Sequence, residues 1–216
     1  MTHPLKDRLR DALTDAAPAD SAHDLAHADR VYANARTIGA DEGPIDDTVL
    51  ICACYLHDLV SLPKDAPNRA DASRLAAAAA LPILQACGLN NGQIANTQHA
   101  IIAHSFSANI TPETREAKIL QDADRIESLG AIGLARVFAV SGALNRPLFH
   151  GTDPFAADRP LEDQTYAVDH FAQKLLKLPD TMQTAGGRAL AQDRAHVLRE
   201  YLTKLAAELG VTAPTW

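Results

Sequence analysis

The chain has 216 residues, 47% of them apolar and only 5% aromatic, and a formal net charge of −7. That length suits one domain with a single core, and an alanine-rich, aromatic-poor composition favours packed helices over a strand sandwich. The acidic balance argues against nucleic acid as a bulk partner, because that requires a basic face. An anionic small molecule stays allowed, since a bound cation and a few Lys or Arg reverse the field locally.

The N-terminus, Met1-Thr2-His3-Pro4-Leu5-Lys6-Asp7, shows no signal-peptide pattern, and no uncharged apolar run reaches about 18 residues. A cytoplasmic chain without a membrane span is therefore expected. Residues from about 5 to 17 form a short amphipathic helix ended near Pro18. Ser21 caps the next, from about 22 to 40, closing near Gly39. On it His23 and His27 stand four apart on one face, continued by Arg30 and Asn34. Asp46 caps a third helix, about 47 to 60, apolar nearly all round and so expected to be central and buried. Its C-terminal end carries His57-Asp58. The three cysteines, Cys52, Cys54 and Cys87, read as reduced thiols, because the count is odd and two lie in this apolar helix.

A Pro-punctuated loop, 62 to 69, contains Lys64. Asp71 opens a helix of about 72 to 86, with a kink expected at Pro82 and Gly88 as its stop. A helix of about 92 to 104 carries His99 and His104. Thr111-Pro112 reads as N-cap and first-turn proline of the helix from Glu113 to about Ser128, which holds Gln121-Asp122-Ala123-Asp124-Arg125. A further helix starts between Gly130 and Gly133 and runs to about Ser141. Residues 143–160, with four helix-breaking Pro or Gly positions, form the longest irregular stretch and suit a lid or substrate loop. Helices of about 161–177 and 180–209 follow, the last bent at Gly186-Gly187, and 210–216 reads as a loose tail. No strand and no repeat is expected, so the fold class is all-α in a single domain, with its core at about 20–195.

A histidine and a carboxylate at the end of a buried apolar helix are costly unless they are partnered, and a metal ion accounts for both. Ligands on separate helices can converge in a bundle core. The set proposed here is His27, His57, Asp58 and Asp124. Two His and two Asp make a mixed nitrogen and oxygen sphere with room for water, better suited to Mn, Fe or Zn than a closed structural site.

The order His27, His57-Asp58, Asp124 resembles the signature of the HD-domain superfamily of metal-dependent phosphohydrolases. The likeness extends to His23-Asp24-x-x-His27-x-x-Arg30-Val31, Leu56-His57-Asp58-Leu59, Pro63-Lys64, Ile102-Ala103-His104-Ser105 and Lys118-Ile119-Leu120-Gln121-Asp122-Ala123-Asp124-Arg125. Gly130-Ala131-Ile132-Gly133 and Asp169-His170-Phe171 complete it, over roughly 20–195. It is similar to a bacterial subgroup of stand-alone HD hydrolases, some linked to nucleoside triphosphate pyrophosphohydrolysis. The resemblance implies an all-helical fold and ligand roles for His27, His57, Asp58 and Asp124. A Gly-Tyr-Pro element after Asp58 is missing, which disfavours cyclic-dinucleotide hydrolysis, and the length leaves no room for a synthetase domain.

The expected cofactor is one divalent ion, Mn first, with Mg, Fe, Co or Zn as alternatives, and the expected partner is a small-molecule nucleotide. Neither nucleic acid nor membrane is expected, and a homodimer stays open. The expected reaction is nucleoside triphosphate pyrophosphohydrolysis by a metal-activated water. The alternatives are a nucleotide phosphomonoesterase, a metal-binding sensor without turnover, and, on the same scaffold, a di-iron oxygenase. Asp58 and His23 are the catalytic candidates: Asp58 orients or deprotonates water, and His23 acts in acid–base chemistry, touches phosphate, or only supports a ligand. Lys64, Arg30 and His104 are candidate substrate contacts. Asp122 is expected to support or orient the ligand-bearing helix, since two residues' spacing separates it from the Asp124 face.

Overall fold

An eight-residue run without a polar face must be surrounded to form a stable helix, and Val49 through Leu56 are all buried in α3 (Asp47–Leu56). The computed structural model describes residues 4–16, 25–60, 62, 68–105 and 108–216, and these are all-α with no strand among them. His23 and Lys64 lie outside the described residues. Two compact units are present, Met1–Asp124 with Gln183–Gly186, and Arg125–Met182 with Gly187–Trp216.

In the first unit α3 is packed by α1 (Pro4–Ala16), α2 (Leu25–Gly39), α4 (Ala72–Ala86) and α5 (Asn91–His104). Leu9 and Leu13 supply the buried face of α1, and Ala76, Ala77, Ala80 and Leu84 that of α4. Gly88, at φ +81°, ends α4 in the left-handed region, and Leu89 N donates to Leu84 O at 3.2 Å across it. Pro82 lies within α4.

Asp46 is the knot that ties three helices at one end. Its Oδ1 accepts from Thr48 N and Val49 N at 2.9 and 3.2 Å, capping α3 as expected. Its Oδ2 accepts from Gln93 Nε2 at 3.0 Å, and Gln93 itself closes a capping box with Asn90 at the start of α5. Its backbone N–H donates to Glu116 at 2.7 Å, in the first turn of α6 (Arg115–Ile126). His57, His104 and Asp124 stand eight to eleven residues further along these helices, about 12–16 Å away at 1.5 Å per residue.

Several boundaries differ from the sequence reading, and each difference follows from a local competitor for the backbone. α3 stops at Leu56, so His57 is its C-cap and His57-Asp58 sit in the turn rather than inside a helix reaching 60. Thr114, not Thr111, caps α6: its hydroxyl accepts from Ala117 N at 3.2 Å. The segment expected to be helical from 161 stays irregular to Val168, because Ala167 N and Val168 N donate to Pro147 O and Leu148 O instead of to helical carbonyls. α9 (Ala185–Leu209) begins at 185 rather than 180, with Gly186-Gly187 in its first turn, the amides of Gln183 and Thr184 being held by Asp122.

The second unit holds α7 (Gly130–Ala143), the short α8 (Asp169–Gln173) and α9 from Gly187 onward. Phe138, Phe171 and Tyr201 form its aromatic centre, with ring centroids 5.6–6.1 Å apart. The irregular 144–168 stretch is braced from within. Arg159 forks onto the fully buried Asp169 and lies 4.7 Å over the Tyr166 ring. The C-terminal tail, expected to be loose, is anchored by Trp216, whose indole N–H donates to Phe155 O at 3.1 Å.

Candidate metal centre

Four side chains converge where α2, the turn after α3 and α6 meet. His27 Nε2 lies 3.3 Å from His57 Nε2, 3.4 Å from Asp124 Oδ1 and 3.9 Å from Asp58 Oδ2. His57 Nε2 lies 3.4 Å from Asp58 Oδ2 and 3.8 Å from Asp124 Oδ1. The two imidazoles are buried, at 2% and 1% exposure, whereas the Asp58 and Asp124 side chains keep 26% and 28%. The centre thus has a buried nitrogen floor and a carboxylate rim that solvent reaches.

The chemistry of the donor set fits a cation. His57 Nδ1 sits 2.9 Å from Cys54 O, an atom that only accepts, so Nδ1 carries a proton and Nε2 is the nitrogen turned toward the cluster. Two carboxylates facing the same buried imidazoles call for positive charge among them. Ligand atoms about 2.1 Å from a common ion stand roughly 3.0–3.4 Å apart for angles between 90° and tetrahedral, and the shorter separations here fall near that range. Burial pushes both carboxyls up. The facing histidines outweigh it and hold Asp58 well below, and Asp124 below, the usual carboxylate range, so both are anionic at neutral pH.

His104 extends the cluster. Its Nδ1 is 2.6 Å from Ile101 O, and its Nε2 faces Asp58 Oδ1 at 3.6 Å, so the two oxygens of Asp58 look at different histidines. Burial lowers the His104 imidazole, but Asp58 outweighs it and the net shift is upward. The sequence reading assigned His104 to substrate, and the structure places it against Asp58, within ligand distance of the His57–Asp58 pair. α6 is set by two polar ties near Asp124: Asn34 Nδ2 donates to Ala123 O at 3.5 Å, and Gln121 Nε2 donates to Ala103 O at 2.7 Å, next to His104. Gln121 was quoted in the sequence only as part of a motif; its burial beside a carbonyl has no sequence signal.

Asp122 is fully buried on another side of α6, accepting from Gln183 N, Thr184 N and Thr184 Oγ1 at 2.8, 2.9 and 2.7 Å. It is not among the converging groups. Arg30 is half-buried on α2, one turn past His27. His99 lies apart from the cluster and accepts from Glu113 N at 2.9 Å. Among the described residues no single helix is long and apolar enough to cross a membrane.

Comparison with known proteins agrees with this geometry. Residues 24–129 match the HD domain. The chain is 30% identical over 212 residues to the uncharacterized protein YpgQ of Bacillus subtilis, covering 96% of this chain and 93% of YpgQ. Its fold matches the crystal structure of B. subtilis YpgQ in complex with ADP, with a TM-score of 0.71, 27% identity and 95% of each chain covered. It also matches an HD-superfamily hydrolase from Bacillus thuringiensis, with a TM-score of 0.74, 25% identity and 96% and 97% coverage. With its histidine and aspartate cluster inside the matched segment, the chain belongs to the HD-domain family.

Proposed function

We propose that this chain is a metal-dependent phosphohydrolase acting on nucleotides, and that its leading reaction is release of pyrophosphate from a nucleoside triphosphate. The observation that carries the reading is the buried pair of imidazoles whose Nε2 atoms face two partly exposed carboxylates at 3.4–3.9 Å. Similarity to HD-superfamily hydrolases and to a relative seen with ADP supports it. A divalent ion, Mn first, held by His27, His57, Asp58 and Asp124, would supply an acidified water and charge stabilisation at the phosphoryl oxygens.

The protein's own groups divide the remaining work. His27 and His57 present their Nε2 atoms from a dry floor, so the substrate approaches from the carboxylate rim. Asp58 serves as the proton acceptor for water, with His104 steering its Oδ1. Arg30 and Lys64 supply positive charge for the phosphate chain, and His23 the proton for the leaving group. Asp122, turned away from the centre, ties residues 183–184 to α6.

The test is a nucleotide panel with Mn, Mg, Co and Zn, with phosphate and pyrophosphate resolved as products. Pyrophosphate from triphosphates supports the leading reaction, and phosphate from monophosphates would favour a phosphomonoesterase. No turnover with any pair would overturn the enzyme reading in favour of a binding module.

A further inference from the structure

We propose that Tyr55 and Asp29 form a brace, clasped by α1, that sets the separation of His27 and His57 and thereby the affinity of the centre for its cation. The inference rests on the reading of that centre as a metal site. The Tyr55 hydroxyl donates to Asp29 Oδ1, and Tyr55 is 1% exposed, so its phenol needs such a partner. Asp29 is two residues after His27, and Tyr55 is two residues before His57. Two residues turn a helix by about 200°. The bond therefore joins α2 to α3 on the side away from the ligands, at the level of the ligand-bearing turns.

The brace is held from outside the site. Lys6 and Arg10, one turn apart on α1, both pair with Asp29, Lys6 Nζ at 3.2 Å from Oδ1. Lys6 Nζ also stands 6.0 Å from the centroids of both the Tyr32 and Tyr55 rings, which are themselves 6.0 Å apart. Such lateral support matters because α3 ends at Leu56: His57 is only its C-cap, without a following helical turn to fix it. Within its own turn His57 is fixed by Cys54 O, and that turn is fixed to α2 by Tyr55. Groups that orient metal ligands without touching the ion are worth about 10–100-fold in affinity.

The test titrates the metal-free full chain with Mn²⁺ by calorimetry and records the visible d–d bands of the Co²⁺ form, neither of which depends on turnover. Tyr55→Phe and Asp29→Leu are expected to weaken Mn²⁺ binding about 10-fold and to alter the Co²⁺ bands. Asp29→Asn keeps an oxygen for the Tyr55 hydroxyl and should stay within about threefold of wild type. Wild-type affinity and unchanged bands in Tyr55→Phe and Asp29→Leu would overturn the brace, as would an equal loss in Asp29→Asn. If Tyr55→Phe does not fold, the contrast between Asp29→Asn and Asp29→Leu decides alone. A wild-type chain that binds neither ion would overturn the metal reading and the brace with it.

Discussion

Asp122→Ala should cost far more stability than metal affinity. The carboxylate is fully buried and accepts three hydrogen bonds, from the backbone amides of Gln183 and Thr184 and from the Thr184 hydroxyl, at 2.7–2.9 Å. A hydrogen bond to a charged group contributes about 1.5–3 kcal/mol, and each orphaned buried donor costs about 1–3 kcal/mol. Because the carboxylate's own burial cost disappears with it, these do not simply add, and the three orphaned donors put the loss at about 3–5 kcal/mol, near the top of the range for single substitutions. For a chain of this size that is a fall in Tm of roughly 6–20 °C, at about 2–4 °C per kcal/mol. Urea denaturation in a chelator, followed by circular dichroism, gives the energy directly from the shift in midpoint at constant slope. Mn²⁺ affinity, measured well below both transitions, should stay within about threefold of wild type, because Asp122 anchors residues 183–184 and is not among the converging groups. A stability change below about 1 kcal/mol refutes the anchoring role, and loss of Mn²⁺ binding in a stable variant would place Asp122 among the ligands.

His57→Ala and Asp124→Ala should weaken Mn²⁺ binding by more than the roughly 100-fold upper value for orienting groups. They should also abolish the metal-dependent rise in Tm, which at 100 times Kd corresponds to about 2.7 kcal/mol; wild-type affinity in either variant removes that residue from the site. In metal-free protein the His104 imidazole is lowered by burial but raised on balance by Asp58. Its stabilisation is therefore fully present below an unfolded pKa of about 6.5 and lost as pH rises through the higher folded value. Melts from pH 5 to 9 should show wild type losing more stability across that window than His104→Ala, and parallel profiles would reject the His104–Asp58 contact. A Cβ at Gly133 would meet the Ser128 carbonyl group at 2.2 Å. Gly133→Ala should thus destabilise by about 1–3 kcal/mol, read as a lower denaturation midpoint, and an unchanged midpoint would show that the start of α7 yields.

The sequence signals that proved legible were local ones. Asp46 is followed by a residue run that needs a cap, and it caps. The apolar run after it could only be a surrounded helix, and it is. His27, His57, Asp58 and Asp124 group by residue type and helical face, and in the structure each carboxylate lies 3.4–3.9 Å from each of the two histidines. What escaped depends on partners distant in sequence. Nothing near residue 161 announces that the amides of Ala167 and Val168 go to Pro147 and Leu148. Thr111-Pro112 is a good cap by type, but Thr114 holds the amide that needs it. Spacing alone cannot show that α5 ends with His104 facing Asp58. Tyr55 looked like one more apolar residue in the run, because its hydroxyl's partner lies 26 residues earlier.

These long-range ties divide the centre into a fixed part and a part open to exchange. At the far end, Asp46 pins α3, α5 and α6 together, so the ends bearing His57, His104 and Asp124 start from a common origin. Near the site, Asn34 and Gln121 fix α6, while Cys54 and Ile101 carbonyls fix the rotation of two imidazoles. His57 and His104 are thus oriented by backbone carbonyls, and with His27 they are buried from water. The carboxylates are the exposed members of the set, and carboxylates change between one- and two-oxygen binding more readily than an imidazole changes its single lone pair. A cation entering the centre would therefore pass over the Asp58–Asp124 rim, where Asp58 turns its second oxygen to His104.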